Sequence, residues 1–154
     1  MIMILLALHA LSAVVWVGGM FFAYVVLRPS IAGIEPAPER ARLWSRVFAR
    51  FFPWVWVAVF TLPTTGYALI FGLHGGMAGV GPHVHLMQGL GWAMFLLFGH
   101  LYFASWRRFR AVVDTGDLQA AGPALAGIRR IVAINLILGL IVVTIAATGR
   151  YWPQ

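Results

Sequence analysis

Five histidines, six methionines and no cysteine set the chemistry open to this chain of 154 residues. His9 lies inside an apolar run, Leu8-His9-Ala10-Leu11-Ser12-Ala13-Val14-Val15-Trp16-Val17-Gly18-Gly19-Met20. An imidazole in such a setting is costly without a partner, so it marks a candidate site. His83 and His85 stand just before or at the start of another apolar run, followed closely by Met87 and Gln88. Imidazole and thioether suit Cu(I), whereas imidazole alone suits Cu(II) or haem iron. Without cysteine there are no disulfides, thiolate metal sites, c-type haem attachments or iron–sulfur clusters.

The elements that position these groups are helices crossing a bilayer. The chain is 62% hydrophobic and 10% charged, with a mean hydropathy of +0.89. A soluble domain has about a quarter of its residues charged. The expectation is an all-α integral membrane four-helix bundle, one domain over 1–154, with spans at about 1–27, 51–73, 86–106 and 131–149. The first span has no basic n-region and an apolar run too long for a cleavable signal peptide.

All eleven basic residues are arginine. Arg28, Arg40, Arg42, Arg46 and Arg50 fall in the first connection, and Arg107, Arg108, Arg110, Arg129 and Arg130 in the third, leaving Arg150. The positive-inside rule places these connections in the cytoplasm and both termini on the periplasmic side of a bacterial inner (plasma) membrane. The net charge of +7 is then topology plus attraction to anionic lipids, not a nucleic-acid surface. A short interfacial helix is expected at about 39–50, with Pro38 at its start and Arg42, Arg46 and Arg50 at i, i+4, i+8. It anchors on lipid headgroups or binds a phosphate or propionate. In the second span, Pro53 and Pro63 predict a kink that Thr64 and Thr65 help to satisfy. Asp117 is placed to cap a short helix in the third connection.

Depth, counted inward from the arginines at about 1.5 Å per residue, sorts the histidines into layers. His9 is roughly 28 Å above Arg28 and His85 roughly 33 Å above Arg107, whereas His100 is only about 10 Å up. An outer layer therefore holds His9, His83 and His85, with Met87, His74, Met77, Met1 and Met3 in reach. An inner layer holds His100 and Asn135, whose bland role is a hydrogen bond to each other. On helical spacing, His9, Ser12, Trp16, Gly19 and Ala23 form one inward stripe; His85, Gln88, Gly89, Trp92, Leu96 and Gly99 a second; and Asn135, Gly139, Val142, Ala146 and Gly149 a third. All four carboxylates lie in the connections, which leaves no carboxylate relay inside the bundle.

The first-span stretch, a histidine before Trp16-Val17-Gly18-Gly19, resembles the signature of the copper-resistance protein D (CopD) family. Ile128-Arg129-Arg130-Ile131-Val132-Ala133-Ile134-Asn135-Leu136-Ile137-Leu138-Gly139 is similar to that family's last span, and Arg28-Pro29 and Val84-His85-Leu86-Met87-Gln88 extend the resemblance. It implies a short, stand-alone four-span bundle associated with periplasmic copper handling or uptake. A more distant resemblance is to the HemJ-type protoporphyrinogen oxidases, small haem b proteins with a first-span histidine. These typically carry a lysine soon after a third-span histidine, where this chain has Gln88.

Two cofactor readings follow. In the first, a periplasm-facing His/Met site binds or passes copper, with His9 as buried ligand, His83 and His85 as partners and Met87 as a softer donor; a periplasmic copper carrier is then a partner, and the chain is not an enzyme. In the second, the chain is a haem b cytochrome or oxidoreductase with its own redox partner. His9 and His85 are axial ligands, His100, Trp16 and Gln88 complete the cofactor surroundings, and Arg150 pairs with the propionates. A third reading makes the histidines packing groups in a structural subunit, and homo-oligomers fit any of the three.

Overall fold

A computed structural model describes residues 1–35 and 37–152, apart from the side chains of Ala37, Leu118, Gln119 and Arg150. Four helices long and apolar enough to cross a membrane make up nearly all of it. The first, α1 (Ile2–Ser30), contains a π-helical turn at Phe22–Leu27. The second, α2 (Ala37–His74), runs unbroken through Pro53 and Pro63. The third, α3 (Pro82–Thr115), contains a π-helical turn at Leu101–Trp106, and the fourth is α4 (Leu118–Thr148).

Local sequence accounts for the boundaries. Gly75 and Gly76 take positive φ (69° and 132°) just beyond the end of α2. Pro82 opens α3, where its missing N–H has no helical partner to lose. Gly116 closes α3 in the left-handed conformation at φ 75°. The Asp117 carboxylate then accepts from Ala120 N at 3.3 Å, so it caps a helix as expected, but that helix is the long α4 and not a short separate one.

The helices pair antiparallel, α1 on α2 and α3 on α4, with α1 also crossing onto α4. Their ends sort into two groups. A histidine end collects the N-terminus, the 75–81 connection and residues 149–152. An arginine end collects the other two connections. Close backbone approach between α2 and α3 occurs at the arginine end, where Arg107–Thr115 packs on α2. Elsewhere aromatic rings fill the space between them. Trp44, Phe48 and Phe52 stack in sequence at 4.9 and 5.1 Å, and Trp106 sets its edge against Phe48 and Phe52. Phe98 and Tyr102 then meet Trp56 at 5.2 and 5.3 Å.

Two expectations are corrected. Residues 39–50 do not form a separate interfacial helix; they are the first turns of α2. Ala41, Trp44 and Phe48 are buried against protein, whereas Arg42, Arg46 and Arg50 stay exposed on the other face. At about 1.5 Å per residue, the 38 residues of α2 span about 57 Å, well beyond the hydrocarbon thickness of a bilayer. The second correction concerns α3. The stripe from His85 to Gly99 does not face inward: Leu96 is 74% and Trp92 47% exposed, while Met94, Phe98 and Leu101 are buried. Large side chains that interlock with neighbouring rings fill the interior better than glycines do.

Glycine decides two close contacts. A Cβ on Gly19 would collide with the Phe51 ring, and one on Gly139 would lie 2.8 Å from Val17 Cγ2 and 3.2 Å from Met94 Cε. Gly139 is therefore where α1, α3 and α4 meet. Replacing it with leucine overpacks that point, at a cost of about 1–3 kcal/mol. Thermal unfolding in detergent, followed by circular dichroism, should give Gly139→Leu a Tm well below wild type. Gly91→Ala, whose methyl meets nothing within 4 Å, should not lower it; equal Tm values for the two variants would contradict this packing.

Candidate functional site

The N-terminal half of α1 is largely apolar and exposed, and His9 is its only titratable side chain. The ring turns inward, onto α2. His9 Nδ1 lies 2.8 Å from the Thr65 hydroxyl oxygen, and the ring edge packs over Gly66, where a Cβ would stand 3.3 Å from His9 Cε1. Glycine there lets the imidazole reach the threonine beside it.

The hydrogen bonds around Thr65 fix the tautomer of His9. Thr65 is buried, and its hydroxyl donates to the Thr61 carbonyl at 2.6 Å, with the Leu62 carbonyl at 3.2 Å. A hydroxyl has one proton to give. The oxygen is therefore the acceptor toward the ring, and His9 Nδ1–H is the donor. Nε2 is left with its lone pair, the form in which imidazole binds a metal or takes up a proton. The threonine bonds come from the turn around Pro63, which offers no N–H to the preceding turn; Thr64 likewise donates to the Phe60 carbonyl at 2.7 Å.

The other expected residues are placed as follows. Trp16 is buried, stacked on Phe95 at 5.6 Å with its edge to Phe98. Gln88 donates its amide N–H to the Tyr67 hydroxyl, tying α3 to α2 at the histidine end. His83 packs on the backbone of Gly149, with Trp152 6.3 Å from its ring, and its Nδ1 is buried without a partner. Met87 is half-buried, and His85, His74 and His100 are exposed. The Arg150 side chain lies outside the described residues. His9, His83 and His85 thus occupy separate surroundings. Among the described residues, no group of three or more His, Cys, Asp or Glu side chains is placed to share a metal ion.

The inner layer is also rearranged. Asn135 is only 2% exposed and donates to the Met94 carbonyl at 3.3 Å, while its Oδ1 is buried and unpartnered. His100 is not its partner. The sequence reading gives Thr65 and Gly66 a part in the Pro63 kink but no contact with His9, and it gives Tyr67 no role. Depth held the signal: Thr65 lies roughly 22 Å above Arg50, close to the layer of His9.

Thr65→Val removes the acceptor that holds the His9 proton on Nδ1, whereas Thr65→Ser keeps it. Nitrogen NMR of labelled histidine should show a protonated Nδ1 and a bare Nε2 in wild type and Thr65→Ser. A tautomer mixture is expected in Thr65→Val, with about 1 kcal/mol lost in stability. An unchanged His9 signature in Thr65→Val would refute the role given to the hydroxyl.

A model of the family described as Copper resistance protein D matches residues 45–148, from within α2 to the end of α4. The match includes Thr65, Gly66, Tyr67, Gln88 and Asn135; His9 precedes it. No curated protein and no solved structure matches the chain. With its four long apolar helices and this family match over most of its length, the chain is a multi-pass membrane protein belonging to the copper resistance protein D family.

Proposed function

We propose that this protein handles copper at the periplasmic face of the inner membrane, with His9 as the residue that receives the ion inside the bundle. The observation that carries the reading is the His9–Thr65 hydrogen bond, which leaves Nε2 unprotonated and holds the ring in one orientation. A hydroxyl behind an imidazole acts as metal-site supports do: it sets the tautomer and aims the lone pair. Family membership supports copper as the ion. The distribution of arginines supports the orientation, with the histidine end outside.

Copper is cargo in this reading. His9 is one donor, and the described residues assemble no three-donor group around it. A lone half-buried imidazole holds an ion weakly, which suits receipt and release better than storage. Met87, half-buried near the start of α3, is the nearest thioether in chain terms to His83 and His85; these three are the proposed approach from the periplasm. A soluble periplasmic copper carrier is the proposed partner, meeting the exposed His85 and the 75–81 connection.

The test is copper loading of the detergent-purified protein under reducing conditions, with metal analysis and an absorption spectrum on the same sample. Wild type should bind copper in equilibrium dialysis against a defined free Cu(I) concentration and stay colourless. His9→Ala should lose it, and Thr65→Val should bind about tenfold more weakly. Retention of copper by His9→Ala would remove His9 from the pathway. A Soret band that sharpens on reduction, with stoichiometric iron in place of copper, would overturn the reading in favour of haem b.

A further inference from the structure

At the arginine end there is an open cavity of about 600 Å³, walled by Tyr24, Arg28, Ile31, Arg40, Trp44 and Arg129. Arg40 is fixed in place: its Nη1 donates to the Ala32 and Ile34 carbonyls at 2.8 and 3.2 Å and meets Glu35 at 3.1 Å. Arg28 lies over the Tyr24 ring at 5.1 Å. Arg129 reaches in from α4, beside the fully buried Ile128, and its Nε is buried without a hydrogen-bond partner. Arg28, Arg40 and Arg129 line one cavity, so three like charges gather there.

Among the described residues, a single carboxylate, Glu35, pairs within this cluster, and it does so with Arg40. Glu35 serves Arg40, Glu39 pairs with Arg42, Asp114 pairs with Arg110, and Asp117 caps α4. Among the described residues, no carboxylate pairs with Arg28 or Arg129. Guanidinium groups are planar forks matched to phosphate oxygens, and several around one cavity are stabilised together by a single anion.

We propose that this cavity binds a phosphate group, held by Arg28, Arg40 and Arg129. The volume exceeds what a lone phosphate fills, and Tyr24, Ile31 and Trp44 give the cavity an apolar wall. Both features favour the phosphate of an anionic phospholipid, its glycerol and first acyl carbons lying against the rings. The assignment is independent of copper binding at His9.

The test is the thermal unfolding of delipidated protein in neutral detergent, titrated with short-chain phosphatidylglycerol, with phosphatidylcholine of the same chain length, and with inorganic phosphate. Ligand that binds only the folded state raises Tm with concentration. Phosphatidylglycerol should raise Tm more than phosphatidylcholine does. Arg129→Gln and Arg28→Gln should each weaken the apparent affinity about tenfold. Arg108→Gln, an exposed arginine of α3 outside the cavity, should leave it unchanged. If Arg129→Gln does not fold, the exposed Arg28→Gln carries the comparison. A shift with inorganic phosphate equal to that with phosphatidylglycerol would keep the site and make free phosphate its ligand. No shift with either, or an equal loss in Arg108→Gln, would overturn the proposal.

Discussion

Helices in hydrocarbon gain little by burying apolar surface, because a lipid tail solvates leucine as well as a neighbouring helix does; shape and hydrogen bonds must bring them together. In this bundle, shape comes from interlocked rings between α2 and α3. Phe52 touches Phe48, Phe98, Tyr102 and Trp106, so it joins the two helices at several levels at once. Trp16 extends the seam to α1 through Phe95 and Phe98. Edge-to-face and offset contacts between rings contribute about 0.5–1.5 kcal/mol each beyond area burial. They are also directional, which sliding aliphatic surfaces are not, and so they set the rotation of each helix about its axis. The inward aim of His9 depends on that rotation.

Hydrogen bonds between helices are few and placed where they decide something. His9–Thr65 joins α1 to α2, Gln88–Tyr67 joins α3 to α2, and Asn135 joins α4 to the Met94 carbonyl of α3. Among the described residues, the buried polar atoms left without partners, His83 Nδ1, Asn135 Oδ1 and Arg129 Nε, are spread from the histidine end to the arginine end. Each such atom carries a penalty of about 1–3 kcal/mol in a well-packed interior. The bundle therefore keeps polarity where a ring must be held, a backbone braced or an anion met, and excludes it elsewhere.

The first helix was legible because its polar and small residues coincide with its packing face: Trp16 and Ala23 are buried, and His9 and Ser12 half-buried, along one stripe. The third was not. Its glycines, including Gly89, Gly91 and Gly99, look onto open space, and Phe98 and Met94 take the interior. In an apolar surrounding the usual contrast between inside and outside is weak, so composition cannot choose among faces when both are hydrophobic. Helix count and the cap at Asp117 needed no such choice. The site was harder, since a threonine beside a proline has an adequate local role, and only its depth pointed to His9. Arg28 and Arg129 converge from distant parts of the chain, and spacing along a sequence carries no trace of that.

The π-helical turns at Phe22–Leu27 and Leu101–Trp106 each end one residue before an arginine, Arg28 and Arg107. Such a turn takes up an extra residue and offsets everything beyond it by about 100° around the axis. Each of these helices thus carries its arginines on a different side from the one an uninterrupted α-helix would give them, while the backbone stays continuous. In α3 the ring contacts run on past the turn, since Phe109 packs on Phe48 and Trp106. Because the offset is fixed, the contacts that set the rotation of the span also set the direction in which the arginine end faces.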